Sequence, residues 1–207
     1  MSCKDTVKPF VFESLPVRGS LVQLDSAWQR MQLGHDYVRP AAEILGHAAA
    51  ATALIAQSLK FDGTVTLQIS SDGPLGMLVM QSTEKLELRG MVSAATADDD
   101  MTFADVAAGA HCAVTVDAGA MERPYQGIVE MHPESLARSL ENYFDRSVQV
   151  PSHLILRANE ALCGGILLQQ LPGADEAVDE DDWRRLGLLV DTLRTDELCG
   201  GATPELL

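Results

Sequence analysis

Positive charge is scarce: 15 Lys and Arg stand against 30 Asp and Glu, for a formal net charge of −15. Tight binding of nucleic acid draws on Lys and Arg to displace counterions from phosphates, so a nucleic-acid role is excluded as an expectation. Anionic membrane surfaces are excluded for the same reason. The N-terminus, MSCKDTVKPF, has no continuous apolar stretch of the kind a secretory signal needs, so a cytoplasmic site, where thiols are reduced, is the expectation. Cysteine pairs are missing as well. Cys3, Cys112, Cys163 and Cys199 are scattered, with no C-x-C or C-x-x-C among them, so they read as small core hydrophobes or free thiols rather than as metal ligands or a disulfide.

Catalytic signatures are also wanting. The chain has no G-x-S-x-G, no H-E-x-x-H, no phosphate loop and no dinucleotide fingerprint. None of His35, His47, His111, His132 and His153 has a carboxylate or cysteine at a recognised catalytic or ligand spacing. Gly164-Gly165 sits inside a strand pattern with no following Lys-Ser/Thr, which suggests a bulge. Asp98-Asp99-Asp100 lacks the glycine and glutamate of a calcium loop and reads as a solvated turn.

What the chain does have is apolar content, 46%, enough for a substantial core. Its centre is the stretch from His35 to Gln81. Ala41 to Ala56 is an Ala-rich helix with almost no polar face, opened by Pro40 in its first turn. Glu43, His47 and Gln57 interrupt it, and its apolar run falls short of the roughly 20 residues a bilayer requires. His47 reads as a hydrogen-bonded core histidine.

The helix should stop near Lys60, with a turn at Asp62-Gly63. Thr64 to Ser70 then alternates as a strand, turns at Ser71-Asp72-Gly73-Pro74, and returns over Leu75 to Gln81. Further strands are expected at Phe10–Phe12, Val17–Leu24 with a bulge at Gly19, Lys85–Ala94, His111–Asp117, Tyr125–Met131, His153–Arg157 and Cys163–Gln170. Leu86, Leu88 and Gly90 should share one face of their strand. Short helices are expected after Asp25, ending at Gly34, and after Thr102, ending at Gly109. An amphipathic one should carry Leu136, Leu140, Tyr143 and Phe144. The fold class is α+β: two antiparallel sheets packed with the buried Ala-rich helix, and peripheral helices.

Composition shifts after Leu171, dividing the chain into a core domain, residues 1–171, and a linker region, residues 172–207. Pro172-Gly173 and the acids Asp175, Glu176, Asp179, Glu180, Asp181 and Asp182 make a charged linker. A helix follows with Trp183, Leu186, Leu189, Val190 and Leu193 on a wide apolar stripe that must dock on something. Thr203-Pro204-Glu205 carries the marks of another helix start.

The segment HDYVRPAAEILGHAAAATALIAQSLKFDGTVTLQISSDGPLG closely resembles the N-terminal domain of the heat-shock protein 33 family of redox-regulated bacterial holdase chaperones. Tyr125–Val129, Glu141–Phe144 and Gly164–Pro172 agree with it in the same order, so the resemblance spans essentially the whole chain. His47 stands where the family usually has Glu, and Ser147-Val148-Gln149 replaces a usual Ser-Glu-Gln.

The resemblance implies ATP-independent capture of unfolding clients through apolar surface, and a tendency to form homodimers that exchange elements. It also implies a further zinc domain whose four cysteines come in C-x-C and C-x-x-C pairs. None of the four cysteines here matches those ligands, so no cofactor is expected in this stretch and client capture should be uncoupled from a thiol switch. Trp183, Leu186, Leu189, Val190 and Leu193 would dock on a sheet and mask client-binding surface. An α+β enzyme or small-ligand binder, and a simple dimerisation module, stay open as rival classes.

Overall fold

The structure, a computed structural model, describes residues 5–59, 63–119, 123–171 and 178–199. Cys3, Lys60, Asp62, the Pro172–Glu176 part of the acidic linker and Thr203–Glu205 lie outside the described residues. The chain folds as two antiparallel sheets around one helix, as its sequence leads one to expect. The first sheet contains β1 (Thr6–Val11), β2 (Val17–Leu24), β8 (Ser152–Ala158) and β9 (Cys163–Gln170), in the order β1-β2-β9-β8. The second contains β3 (Thr64–Ser70), β4 (Met77–Thr83), β5 (Leu88–Ser93), β6 (His111–Asp117) and β7 (Tyr125–Glu130), in the order β5-β4-β3-β6-β7. Pairing of β2 with β9 brings the two ends of the chain into one sheet.

Helix α2 (Arg39–Ser58) lies between the sheets. Alanine permits this, because small side chains let both sheets approach a helix that has no solvent face over most of its length. Ala48, Ala49, Ala50, Ala51 and Ala53 are all fully buried. Thr52, also buried, satisfies its hydroxyl on the Ala48 carbonyl one turn back, at 2.7 Å. The inner faces of both sheets alternate as a period of two demands: Val65, Leu67 and Ile69 of β3, Cys112 and Val114 of β6, and Leu154 and Leu156 of β8 all point at the helix.

Neither expected bulge forms. The pairings of β1 with β2, β2 with β9 and β8 with β9 run in unbroken register through Gly19, Gly164 and Gly165. Two of these glycines serve close approach instead. A Cβ on Gly19 would sit 2.2 Å from the Phe10 ring, and one on Gly165 would sit 2.7 Å from the Ile155 carbonyl and 3.2 Å from Leu54 of the central helix. Leu86 is not in a strand: it adopts φ +60° in the turn that leads into β5, whose inward row is Leu88, Gly90 and Val92.

Helix α1 (Ser26–Gln32) follows Asp25, yet Asp25 makes no side-chain cap. The carboxylate of Asp5 takes that place, accepting from the Asp25 and Ala27 N–H groups at 2.8 and 3.1 Å. Helix α3 (Phe103–Val106) starts at Thr102, which forms a reciprocal capping box with Asp105. Helix α4 (Leu136–Tyr143) starts at Ser135 and runs into a π turn, Phe144–Val148, ended by Gln149 at φ +57°. Helices α5 (Glu180–Asp191) and α6 (Thr195–Cys199) close the described chain, and the sequence gives no hint of α6. Among the described residues, no helix is long and apolar enough to cross a membrane.

Candidate functional site

The outer face of the first sheet is apolar although it points away from the central helix. Leu21, Ile166 and Ile155 are direct cross-strand neighbours and form one row across it. Phe10, Gly19 and Leu168 form the next row, which ends at His153 on the edge strand β8. A sheet with both faces apolar needs a second cover, and α5 and α6 supply it. Val190 and Leu198 are buried against Val17, Leu21, Ile155, Ile166 and Leu168. Burying two such aliphatic side chains contributes roughly 1.5–3 kcal/mol each.

Of the five stripe residues, Trp183, Leu186, Val190 and Leu193 pack on this sheet face. Leu189 does not: it is 65% exposed. The contact face centres between Trp183 and Val190, and Leu189 lies about 100° around the helix from it. Gly187 faces the sheet in its place, and a Cβ there would meet the His153 ring at 3.6 Å.

Polar contacts fix the cover at two points. The Gln23 side chain, buried in the sheet, donates to the Leu198 carbonyl at 2.7 Å. His153 lies between two carboxylates from different elements: its Nδ1 is 3.1 Å from Glu141 Oε1 of α4, and its Nε2 is 2.9 Å from Asp191 Oδ1 at the end of α5. Glu141 also accepts from the Leu154 N–H at 2.8 Å and from Arg138 at 2.9 Å. Burial works against its charge, but these hydrogen bonds and the neighbouring positive charges outweigh that, and its pKa is lowered. The hydrogen bond to Glu141 raises the pKa of His153, with the charges of Glu141 and Asp191 adding to it against the effect of burial.

The sequence offers no route to this cluster, because Glu141, His153 and Asp191 meet only when α4, the edge strand and α5 come together. With both ring nitrogens engaged by carboxylates, His153 has no free nitrogen to take a proton from a nucleophile.

A cleft of about 420 Å³ opens beside the cluster, lined by Glu43, His47, Arg138, Arg157 and Asp191 among others. His47 faces this cleft. Its side chain is 14% exposed and lies 3.9 Å from Glu43. Burial, with the charge of Arg157, pushes its pKa down to about 4, so the ring is neutral at ordinary pH.

The described cysteines do not make a metal site. Cys112 and Cys163 are buried on separate sheets and not joined in a disulfide, and burial raises the Cys112 pKa to about 12, disfavouring the thiolate a metal would need. No group of three or more His, Cys, Asp or Glu among the described residues could hold a metal ion.

Comparison with known proteins gives one consistent answer. The family model described as "Hsp33 protein" matches residues 5–207. A protein named 33 kDa chaperonin from Methylobacillus flagellatus is 36% identical over 199 residues, covering 96% of this chain and 68% of that protein. Its namesakes from Nitrosococcus oceani and Pseudomonas fluorescens are 37% and 38% identical, covering 100% and 95% of this chain and 71% and 67% of theirs. In structure, the chain is similar to the 33 kDa chaperonin (heat shock protein 33 homolog) of Thermotoga maritima, with a TM-score of 0.78 at 21% identity over 97% of this chain and 71% of that one. The two-sheet architecture and the sequence matches thus agree: the chain belongs to the Hsp33 family.

Proposed function

We propose that this chain is a molecular chaperone of the holdase type, which keeps unfolding proteins in solution by binding their exposed apolar segments without ATP. Membership in a family whose curated relatives are named 33 kDa chaperonin supports the chaperone function. The observation that carries the mode of action is the second apolar cluster, a sheet face of Val17, Leu21, Ile155, Ile166 and Leu168 under a cover of two short helices. The driving force would be removal of apolar surface from water, which is non-directional and therefore tolerant of client sequence.

The cover is lightly held. Helices of 12 and 5 residues are marginal on their own, and among the described side chains of the pair only Val190 and Leu198 are buried. Such an element belongs to the least stable part of a fold and opens before the core does. Trp183, Leu186, Val190 and Leu193 are then masking residues, and the face beneath them is the client surface. Because the described thiols lie buried away from that face, capture there needs no thiol chemistry.

The test is light scattering from a thermally unfolding enzyme, together with binding of a hydrophobic probe dye. The chain should suppress scattering equally in reductant and in peroxide. A Val190→Asp/Leu193→Asp variant should bind more dye and suppress scattering at lower concentration. Strict dependence on peroxide, or unchanged dye binding by the variant, would overturn the masked-face reading.

A further inference from the structure

We propose that His153 is a proton-controlled clamp that holds helix α5 over the outer sheet face, so that the cover is tight at acid pH and loosens as pH rises. The inference rests on the masked-face reading for its consequence, though not for its chemistry. His153 is 13% exposed, Glu141 11% and Asp191 44%, so the clamp joins an almost buried anchor on the body to a half-exposed carboxylate on the cover.

A doubly protonated imidazole has two N–H donors and serves both carboxylates at once. A neutral one has a single donor. The buried Glu141 has the greater need of a partner, since water cannot replace it there, so the remaining proton stays on Nδ1. Nε2 then turns a lone pair toward Asp191 Oδ1 at 2.9 Å. That contact becomes repulsive, and Asp191, already half in water, can swing away with the end of its helix.

The sign follows from linkage. The hydrogen bond to Glu141, the largest cause of the raised His153 pKa, stays with the body when α5 lifts, whereas the charge and hydrogen bond of Asp191, which raise it further, are lost, so the proton favours docking. That contribution is fully present below the released-state pKa, itself held up by Glu141, and is lost as pH climbs through the higher docked value. Other charged groups face the same place. Arg138 and Glu141 come from α4 and Glu134 from the loop before it. Arg157 is on His153's own strand, Glu43 and His47 are on α2, and Asp191 is on α5. Of these, Arg138 is held charged by Glu141, the hydrogen bonds to Glu141 hold the pKa of that carboxylate down despite its burial, and His47, pushed down to about 4, titrates well below this range. His153 is the imidazole whose raised pKa puts its proton at stake there.

Amide hydrogen exchange of residues 180–191 in the full chain, corrected for intrinsic rates, reads the docking directly. It should be faster at about pH 8.5 than at about pH 5.5, by on the order of fivefold, the ratio expected when a charge-assisted hydrogen bond becomes an unfavourable contact. His153→Gln should abolish this slope while leaving exchange in the central helix untouched. Asp191→Asn, on the surface, should flatten it too, and should lower the imidazole pKa of His153 read by nitrogen-detected NMR. A slope that survives both substitutions, or an imidazole pKa indifferent to Asp191→Asn, overturns the clamp. If the slope appears as expected but dye binding and scattering suppression do not follow it, the clamp stands and the masked-face reading fails.

Discussion

The two faces of the β1-β2-β9-β8 sheet are both apolar, yet they are covered in opposite ways. The inner face meets a twenty-residue helix buried along most of its length and shared with a second, five-stranded sheet. The outer face meets two short helices, which press Val190 and Leu198 onto it and hold on through Gln23 and His153. Hydrophobic burial per unit area is the same on both sides. What differs is how many other contacts must break before the face is free. Undoing the inner contact means unfolding the domain, whereas undoing the outer one means lifting a lid. A chaperone that must show apolar surface without losing its own fold needs this asymmetry.

The largest effect should come from the inner side. Leu54 is fully buried between the sheets and packs beside Gly165. Leu54→Ala should cost about 2–5 kcal/mol of global stability, because the closely packed strands around it cannot collapse into the cavity. Denaturant unfolding measures this. A loss confined to the C-terminal helices would show that the two faces are not separate in stability.

Acid should act next, again on the inner helix. His47 is neutral in the folded protein, with a pKa near 4 against an ordinary 6.5. A depressed histidine pKa means that the unfolded chain binds the extra proton first, so this stability is present above pH 6.5 and drains away as pH falls toward 4. The loss attributable to His47 approaches about 3 kcal/mol at the acid end. His47→Gln should unfold over a shallower pH dependence than the wild type in the same range; matching profiles would exclude His47 as the source. The sign is opposite to that of His153, so acid weakens the body while it tightens the cover.

The inner face was far more legible in the sequence than the outer one. Ala-rich composition, period-two strands and turn residues place β2, β3, β6 and β9 at their observed limits and the central helix to within a few residues, because these signals are local. Gly19 and Gly165 misled, since a glycine in a strand signals either a bulge or a close neighbour, and only the fold reveals the Phe10 ring or Leu54. Leu189 misled because an apolar stripe over about three turns looks continuous until the sheet selects the narrower part that fits. The Glu141, His153 and Asp191 cluster left no local trace at all. It depends on three elements distant in sequence, as does the capping of α1 by Asp5.

On the outer face, Val190→Asp should destabilise the cover by about 1–3 kcal/mol, the burial lost plus the cost of placing a carboxylate against Ile155 and Leu168, while the denaturation midpoint of the body barely moves. The smallest effect sharpens the contrast within one helix. Leu189 neighbours Val190 in sequence but points to water, so Leu189→Ser should change neither dye binding nor cover exchange by more than about 0.5 kcal/mol equivalent. If Leu189→Ser lowered scattering suppression without changing dye access to the sheet, clients would be touching the outside of α5. The helix would then be part of the binding surface as well as its cover.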